Sequence, residues 1–232
     1  MTNDIHDAVR DRYARIAVEP SSCCAPGAEA ANGYTAAELA DLPDGSILGL
    51  GCGNPAGFAE IRQGDTVVDL GSGGGIDAFL AAKKTGTSGL VIGVDMTPEM
   101  VERATGAAAD AGIANVEFRL GLIEELPIDG GSVDLILSNC VINLSPDKGA
   151  VFAEAFRVLR PGGRLVVSDI VSATPPDESD LDGWTACVSG AIAEEAYLGA
   201  IVASGFGEVE VLSRRPYSEE TASITVRAVR AA

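Results

Sequence analysis

Cys140 stands where a thiol can do chemistry. It follows the apolar run Val133-Asp134-Leu135-Ile136-Leu137 and the polar tip Ser138-Asn139. Upstream, Val67-Val68-Asp69-Leu70 runs into Gly71-Ser72-Gly73-Gly74-Gly75, which reads as a strand entering a glycine loop. In open α/β sheets ligands bind outside the carboxyl ends of the strands, so this arrangement sets a thiol at the mouth of a nucleotide-binding sheet. Thiolates are soft ligands and suit a soft, thiophilic centre. Two further cysteines have informative contexts, Cys52 in Leu50-Gly51-Cys52-Gly53-Asn54-Pro55 and Cys187 in Ala186-Cys187-Val188-Ser189-Gly190. The competing reading of each is a small buried hydrophobe. Cys23 and Cys24 are adjacent in a loop, where they either capture a ligand and hand it inward or do nothing. The five cysteines are odd in number and none forms a C-x-x-C pair. That pattern fits reactive or buried thiols rather than a disulfide frame, and no four-ligand zinc spacing is present.

The glycine loop is the second candidate. Glycine lets a backbone approach a ligand closely and supplies unusual dihedrals. The loop falls short of G-x-G-x-x-G, because Ile76 takes the place of the third glycine. Asp69 lies just before the loop, and Asp95 ends the next strand 26 residues on. A carboxylate there can accept hydrogen bonds from ribose hydroxyls.

These residues need elements to hold them. Ile5, Val9, Tyr13 and Ile16 recur at helical spacing and predict an amphipathic helix over 4–18. Residues 20–33 read as a loop. A short helix is expected from Thr35 or Ala36 to Leu42, and the glycine-rich stretch Ser46–Pro55 must turn. From residue 64 strands and helices alternate: strand Thr66–Leu70, helix Gly75–Lys84, strand Leu90–Asp95, helix Pro98–Ala111 with Thr97 as N-cap, strands Val116–Leu120 and Val133–Ser138, helix Pro146–Leu159, and strand Arg164–Ile170. Such alternation implies a parallel sheet covered on both faces. Residues 174–204 read as helical, and Val209–Leu212 with Ser223–Val229 as a final strand pair. The expected fold is therefore α/β, a Rossmann-like, doubly wound and mostly parallel sheet with an N-terminal helical extension and a small C-terminal cap. The expected division is 1–63 for the extension carrying Cys23, Cys24 and Cys52, 64–172 for the cofactor-binding core, and 173–232 for the cap carrying Cys187.

Composition narrows the partners. The 232 residues carry a formal net charge of -18, a field that repels nucleic acid and anionic membrane. Neither is an expected partner. No run of 18 or more apolar residues occurs, and the polar N-terminus does not read as a signal peptide. A cytoplasmic location is expected. His6 is the single histidine and lies outside any motif, so little acid–base work is expected. Trp184 reads as core, and the acidic runs Asp177–Asp180 and Glu194-Glu195 as solvated helix faces.

Asp69-Leu70-Gly71-Ser72-Gly73-Gly74-Gly75 resembles the first motif of class I S-adenosylmethionine-dependent methyltransferases. Arg157-Val158-Leu159-Arg160-Pro161-Gly162-Gly163 before a strand resembles another motif of that superfamily. An NAD-type site is the alternative. The resemblance implies that Asp69, Gly71, Ser72 and Gly73 line the methionine end of the cofactor. Asp95 would hold the ribose, Met96 would pack on the adenine with Ile123 and Glu124 nearby, and Asn139 would sit below the cofactor. The contexts of Cys52, Cys140 and Cys187 together resemble arsenite S-adenosylmethionine methyltransferases, from residue 4 to residue 229. Ser138-Asn139-Cys140-Val141-Ile142-Asn143-Leu144 is the most family-specific piece. The resemblance implies that Cys140 and Cys187 bind trivalent arsenic, with Cys52 a third ligand or a reductant. It also implies arsenite arriving as a thiol conjugate, glutathione or thioredoxin as reductant, and a role in arsenic detoxification. Set beside that family, the chain is expected to lack the longer C-terminal extension of many members. Two rivals remain: a methyltransferase for a small organic acceptor, and a non-enzymatic arsenic- or antimony-binding protein.

Overall fold

The computed structural model describes residues 2–19, 32–177 and 179–231. Cys23 and Cys24 lie outside the described residues. In chain order the elements are α1 (Thr2–Val18), α2 (Ala36–Ala40), α3 (Pro55–Phe58), β1 (Thr66–Leu70), α4 (Ile76–Thr85), β2 (Leu90–Asp95), α5 (Pro98–Asp110), β3 (Val116–Leu120), β4 (Val133–Asn139), a 3-10 turn (Ile142–Leu144), α6 (Lys148–Val158), β5 (Leu159–Ser172), α7 (Leu181–Thr185), α8 (Glu194–Ala203), β6 (Gly207–Pro216) and β7 (Thr221–Val229).

The strands form one seven-stranded sheet in the order β3-β2-β1-β4-β5-β7-β6. β1 pairs in parallel with β2 and β4, β2 with β3, and β4 with β5. β7 joins β5 antiparallel, and β6 closes the edge antiparallel to β7. Alternating side chains bury both faces, as covered parallel strands require. Val68, Leu70, Val94, Ile136 and Val167 meet Phe152, Tyr197 and Ile201 on one face. Val67, Val91, Leu135, Leu137 and Val166 meet Ile76, Leu80 and Ala81 of α4 on the other. The strand order reverses between β1 and β4, so the ligand crevice must open outside their carboxyl ends. Those ends are Leu70-Gly71 and Asn139-Cys140.

The helix expected over 4–18 forms, with Ile5, Val9 and Ile16 buried. The segment 174–204 departs from expectation. It holds two helices, α7 and α8, with Cys187 in the turn between them. Gly190 lies in the break between them, and Asp180 ends the preceding loop as the α7 N-cap, accepting from Gly183 N. It is therefore a cap and not a helix face. Thr97 holds the N-cap place of α5 but makes no side-chain cap bond; its N–H donates instead to Asp95 Oδ1 at 2.9 Å. Among the described residues no helix is long and apolar enough to cross a membrane.

Candidate active site

A cleft of about 980 Å³, open mouth included, lies at the switch point. The glycine loop forms its floor. Gly71 has φ +60, and a Cβ there would come within 2.2 Å of Val141 Cγ2, so a side chain is excluded on two counts. Gly73 has φ +51, and a Cβ would meet nothing within 4 Å; its backbone faces open space. Gly73 N–H donates to Asp95 Oδ2 at 2.9 Å, which ties the loop to the end of β2. Asp69, Ser72, Met96, Ile123, Glu124 and Asn139 line the same cleft, so the cofactor-site residues inferred from sequence come together.

Acids and unmet polar atoms give the cleft its character. Burial, then the neighbouring Asp77 carboxyl, hold Asp69 well above the usual carboxylate range. Burial raises Asp77 to about 6 and also raises Asp95. Ser72 Oγ and Asp77 Oδ1 are buried without a hydrogen-bond partner. No Lys or Arg stands among the described lining residues. A pyrophosphate would meet several carboxyls and no Lys or Arg among these residues, whereas a cationic ligand is electrostatically matched.

Asn139 does more than sit below a ligand. Its Oδ1 accepts from Cys52 N at 3.0 Å and Gly53 N at 3.1 Å. Its Nδ2 donates to Gly53 O, Tyr34 Oη and Asp77 Oδ2. The far side of the loop is held by Arg215 Nη2 and Ser223 Oγ, both donating to Cys52 O. Thus the residue beside Cys140 fastens Cys52, which is distant in sequence, next to it. Asn139→Ala is expected to lower the unfolding free energy by about 2–3 kcal/mol, because buried donors lose their acceptor. Urea denaturation checks it; an unchanged midpoint would mean that Arg215 and Ser223 hold the loop unaided.

The three thiols are buried and free. The neighbouring Cys187 and Cys52 thiols, with burial, push the Cys140 thiol well above its usual value. Burial also raises Cys52. Cys140 and Cys187 line the cleft, while Cys52 sits behind Cys140. Cys187 Sγ donates to Cys140 O at 2.9 Å. Both cleft-lining cysteines have left-handed backbones, φ 62 at Cys140 and φ 65 at Cys187. Cys187 ends α7 in a Schellman arrangement: Cys187 N donates to Trp184 O and Val188 N to Gly183 O. Glycine is the usual residue there, and cysteine costs about 1–2 kcal/mol in that conformation. Strain of this kind gathers at functional sites, and here it falls on two cysteines joined by the Cys187 Sγ to Cys140 O bond.

Sequence reasoning missed several groups. α1 lies over the cleft and brings His6, Val9 and Tyr13 to it. His6 Nε2 is 3.0 Å from Glu124 Oε1, which Ser145 Oγ also contacts, so the histidine without a motif is a cleft residue. Tyr13 Oη lies 3.9 Å from Cys187 Sγ, and Tyr34 Oη donates to Asp77 Oδ2 at 2.8 Å. Burial raises both phenols well above their usual value, so neither serves as a base near neutrality. Trp184 is core, as expected, with Nε1 donating to Leu144 O.

Asp169, in mid-β5, is the other residue missed. It accepts from Ile170 N at 2.9 Å and from Tyr197 Oη at 3.2 Å, and burial raises it to about 7. Its folded value exceeds the unfolded 3.8, so it contributes stability at low pH that is lost as pH rises from about 4 to about 7. Asp169→Asn should therefore gain on the parent as pH rises through that window, by an amount on the order of a few kcal/mol. Denaturation midpoints of both proteins at pH 5 and pH 8 check it; equal differences at the two pH values contradict it.

With this geometry in place, known proteins can be set beside it. A family model described as a methyltransferase domain matches residues 61–211. An arsenic(III) S-adenosylmethionine methyltransferase from Chlamydomonas reinhardtii, solved by crystallography, is 32% identical with a TM-score of 0.63, covering 89% of this chain and 74% of that one. The chain belongs to the arsenite methyltransferase family. The arsenite methyltransferase of Halobacterium salinarum is 44% identical over 93% of this chain and 61% of that protein. That of Mus musculus is 34% identical over 82% of this chain and 54% of that protein. The chain thus spans between half and two thirds of the length of these two curated family members. A Haemonchus contortus phosphoethanolamine methyltransferase, at 16% identity and a TM-score of 0.65, shares the fold. The class I methyltransferase fold expected from sequence is the one observed.

Proposed function

We propose that the chain methylates trivalent arsenic with S-adenosylmethionine, the arsenic being held by Cys52, Cys140 and Cys187. The observation that supports this most is the cluster of three buried thiols beside a cleft whose described lining carries carboxyls and no Lys or Arg. Asp69, Asp77 and Asp95 suit a ligand bearing ammonium and ribose hydroxyl groups. The unpartnered Ser72 Oγ and Asp77 Oδ1 fit its amino-acid end, and the open face of Gly73 allows close approach. Bound there, S-adenosylmethionine supplies a sulfonium methyl, an electrophile for the arsenic lone pair.

The protonated state of Cys52 and Cys140 is no obstacle. Each hydroxide of arsenite takes one thiol proton and leaves as water, forming one arsenic–sulfur bond. From a glutathione conjugate, the same proton leaves with the departing thiol. No protein base is needed, and three sulfurs leave the arsenic lone pair free. The chain's part is to position the donor set, and error of about 1 Å in such alignment can cost about 10²-fold in rate. Methyl transfer raises arsenic formally to the pentavalent state. Two electrons from a pair of site thiols return it to trivalent as those thiols form a disulfide, which glutathione or a thioredoxin-class dithiol reopens. A reducing cytosol is the compartment that keeps such thiols available, and arsenic detoxification is the role proposed.

A second reading, methylation of a small organic acceptor, gains from the His6–Glu124 pair in the cleft. One assay separates them: incubate with arsenite, glutathione and S-adenosylmethionine, and read methylated arsenic by mass. Methylated arsenic supports the proposal. S-adenosylhomocysteine binding without methylated arsenic moves the case to the organic acceptor. Arsenite binding without affinity for S-adenosylhomocysteine makes it a sequestering protein.

A further inference from the structure

Asp169 has no part in the chemistry above, yet it is buried against the thiols. A carboxylate oxygen of Asp169 and the sulfurs of Cys52 and Cys140 all lie within 4.8 Å of one another. Cys187 is outside that set, and its Sγ bonds Cys140 O. Around a tetrahedral zinc ion with a zinc–sulfur distance of about 2.3 Å, neighbouring donors stand roughly 3.8 Å apart, so small side-chain rotations close the gap. Three protein donors with a fourth position left open is an arrangement zinc accepts. Asp169 is already oriented by Ile170 N and Tyr197 Oη, the kind of supporting bonds that fix a metal-binding carboxylate.

We propose that Cys52, Cys140 and Asp169 form a two-sulfur, one-oxygen donor set that takes a thiophilic divalent cation of the zinc and cadmium class. Binding displaces the two thiol protons, and that of Asp169 where the carboxyl carries one, to water and forms two metal–sulfur bonds and one metal–oxygen bond, with no change of oxidation state. The ion enters through the cleft past Cys140, which lines it. Once seated, it removes two of the three thiols from the proposed arsenic set, so such cations inhibit by occupying the arsenic site. The donor set is defined by these atoms alone and stands whether or not arsenite is the substrate.

The test is titration of the reduced full chain with cadmium chloride, followed by the thiolate-to-cadmium charge-transfer absorption. The parent should bind one equivalent. Asp169→Asn should weaken binding about tenfold or more, while Cys187→Ser should leave it within about threefold. No charge-transfer band in the parent overturns the proposal. So does parent-like binding by Asp169→Asn, or loss of binding in Cys187→Ser. Circular dichroism reports whether the Asp169 variant folds. If it does not, the cadmium-113 resonance of the loaded parent decides, since two sulfur neighbours are expected and three contradict the proposal.

Discussion

Cys140→Ser and Cys187→Ser should each reduce arsenite methylation about 10²-fold or more, with S-adenosylhomocysteine affinity unchanged. Serine is close in size but exchanges a soft donor for a hard one, so trivalent arsenic loses a ligand. The two positions also share a left-handed backbone and a direct bond, Cys187 Sγ to Cys140 O. The substitutions leave the glycine loop, Asp69 and Asp95 in place, so cofactor affinity is the control that separates a ligand role from misfolding. Cys52→Ser should also slow the reaction, and retains more activity on monomethylated arsenic, which needs fewer sulfurs. Steady-state rates with product identified by mass check all three. A Cys140→Ser protein that methylates arsenite near the parent rate would falsify the thiol-ligand mechanism.

Asp95→Ala should weaken S-adenosylhomocysteine binding about 10- to 100-fold. The carboxylate accepts from Gly73 N and Thr97 N, both at 2.9 Å, and its loss leaves two enclosed donors unmet at about 1–3 kcal/mol each. Part of that cost falls on the empty protein. The ligand-dependent part, the lost ribose acceptor and a looser glycine loop, amounts to roughly 1.4–2.8 kcal/mol, where each 1.4 kcal/mol is tenfold in affinity. Asp95→Asn keeps an oxygen acceptor and should fall between. Isothermal titration with S-adenosylhomocysteine and, separately, with NAD reads the effect. Parent-like affinity in Asp95→Ala, or tighter binding of NAD than of S-adenosylhomocysteine by the parent, contradicts the assignment.

Much of the fold was legible because its signals are local. Strand periodicity, the glycine loop and the Arg160-Pro161-Gly162-Gly163 stretch located the alternating strands and helices, and a residue at a strand's end could be read as a ligand-facing residue. The site was legible where residues close a strand or follow it directly: Asp69, Asp95 and Asn139 lie at the carboxyl ends of β1, β2 and β4, and Cys140 comes straight after β4. What could not be read depends on contacts between distant segments. His6 and Tyr13 reach the cleft because α1 folds over it, and nothing in the helix's own apolar spacing says what it covers. Tyr34 and Asp77 bond each other directly, and Asn139 bonds both. Asp77 lies in the first turn of α4, where an acid is expected on the helix dipole alone, so its burial carried no signal. Asp169 did leave one, a lone carboxylate within Leu165-Val166-Val167-Ser168-Asp169-Ile170-Val171, an otherwise largely apolar strand whose interior should refuse a charge. The turn carrying Cys187 was misread as helix because Schellman closure depends on a left-handed residue, which cysteine seldom supplies.

The central claim is that Cys52, Cys140 and Cys187 form one ligand set for trivalent arsenic. Arsenic K-edge X-ray absorption of the reduced protein, loaded with one equivalent of arsenite, addresses it most directly. The account predicts three sulfur neighbours in the parent, and two sulfurs with one oxygen in Cys187→Ser. Oxygen neighbours in the parent, or a spectrum that Cys187→Ser leaves unchanged, would contradict it.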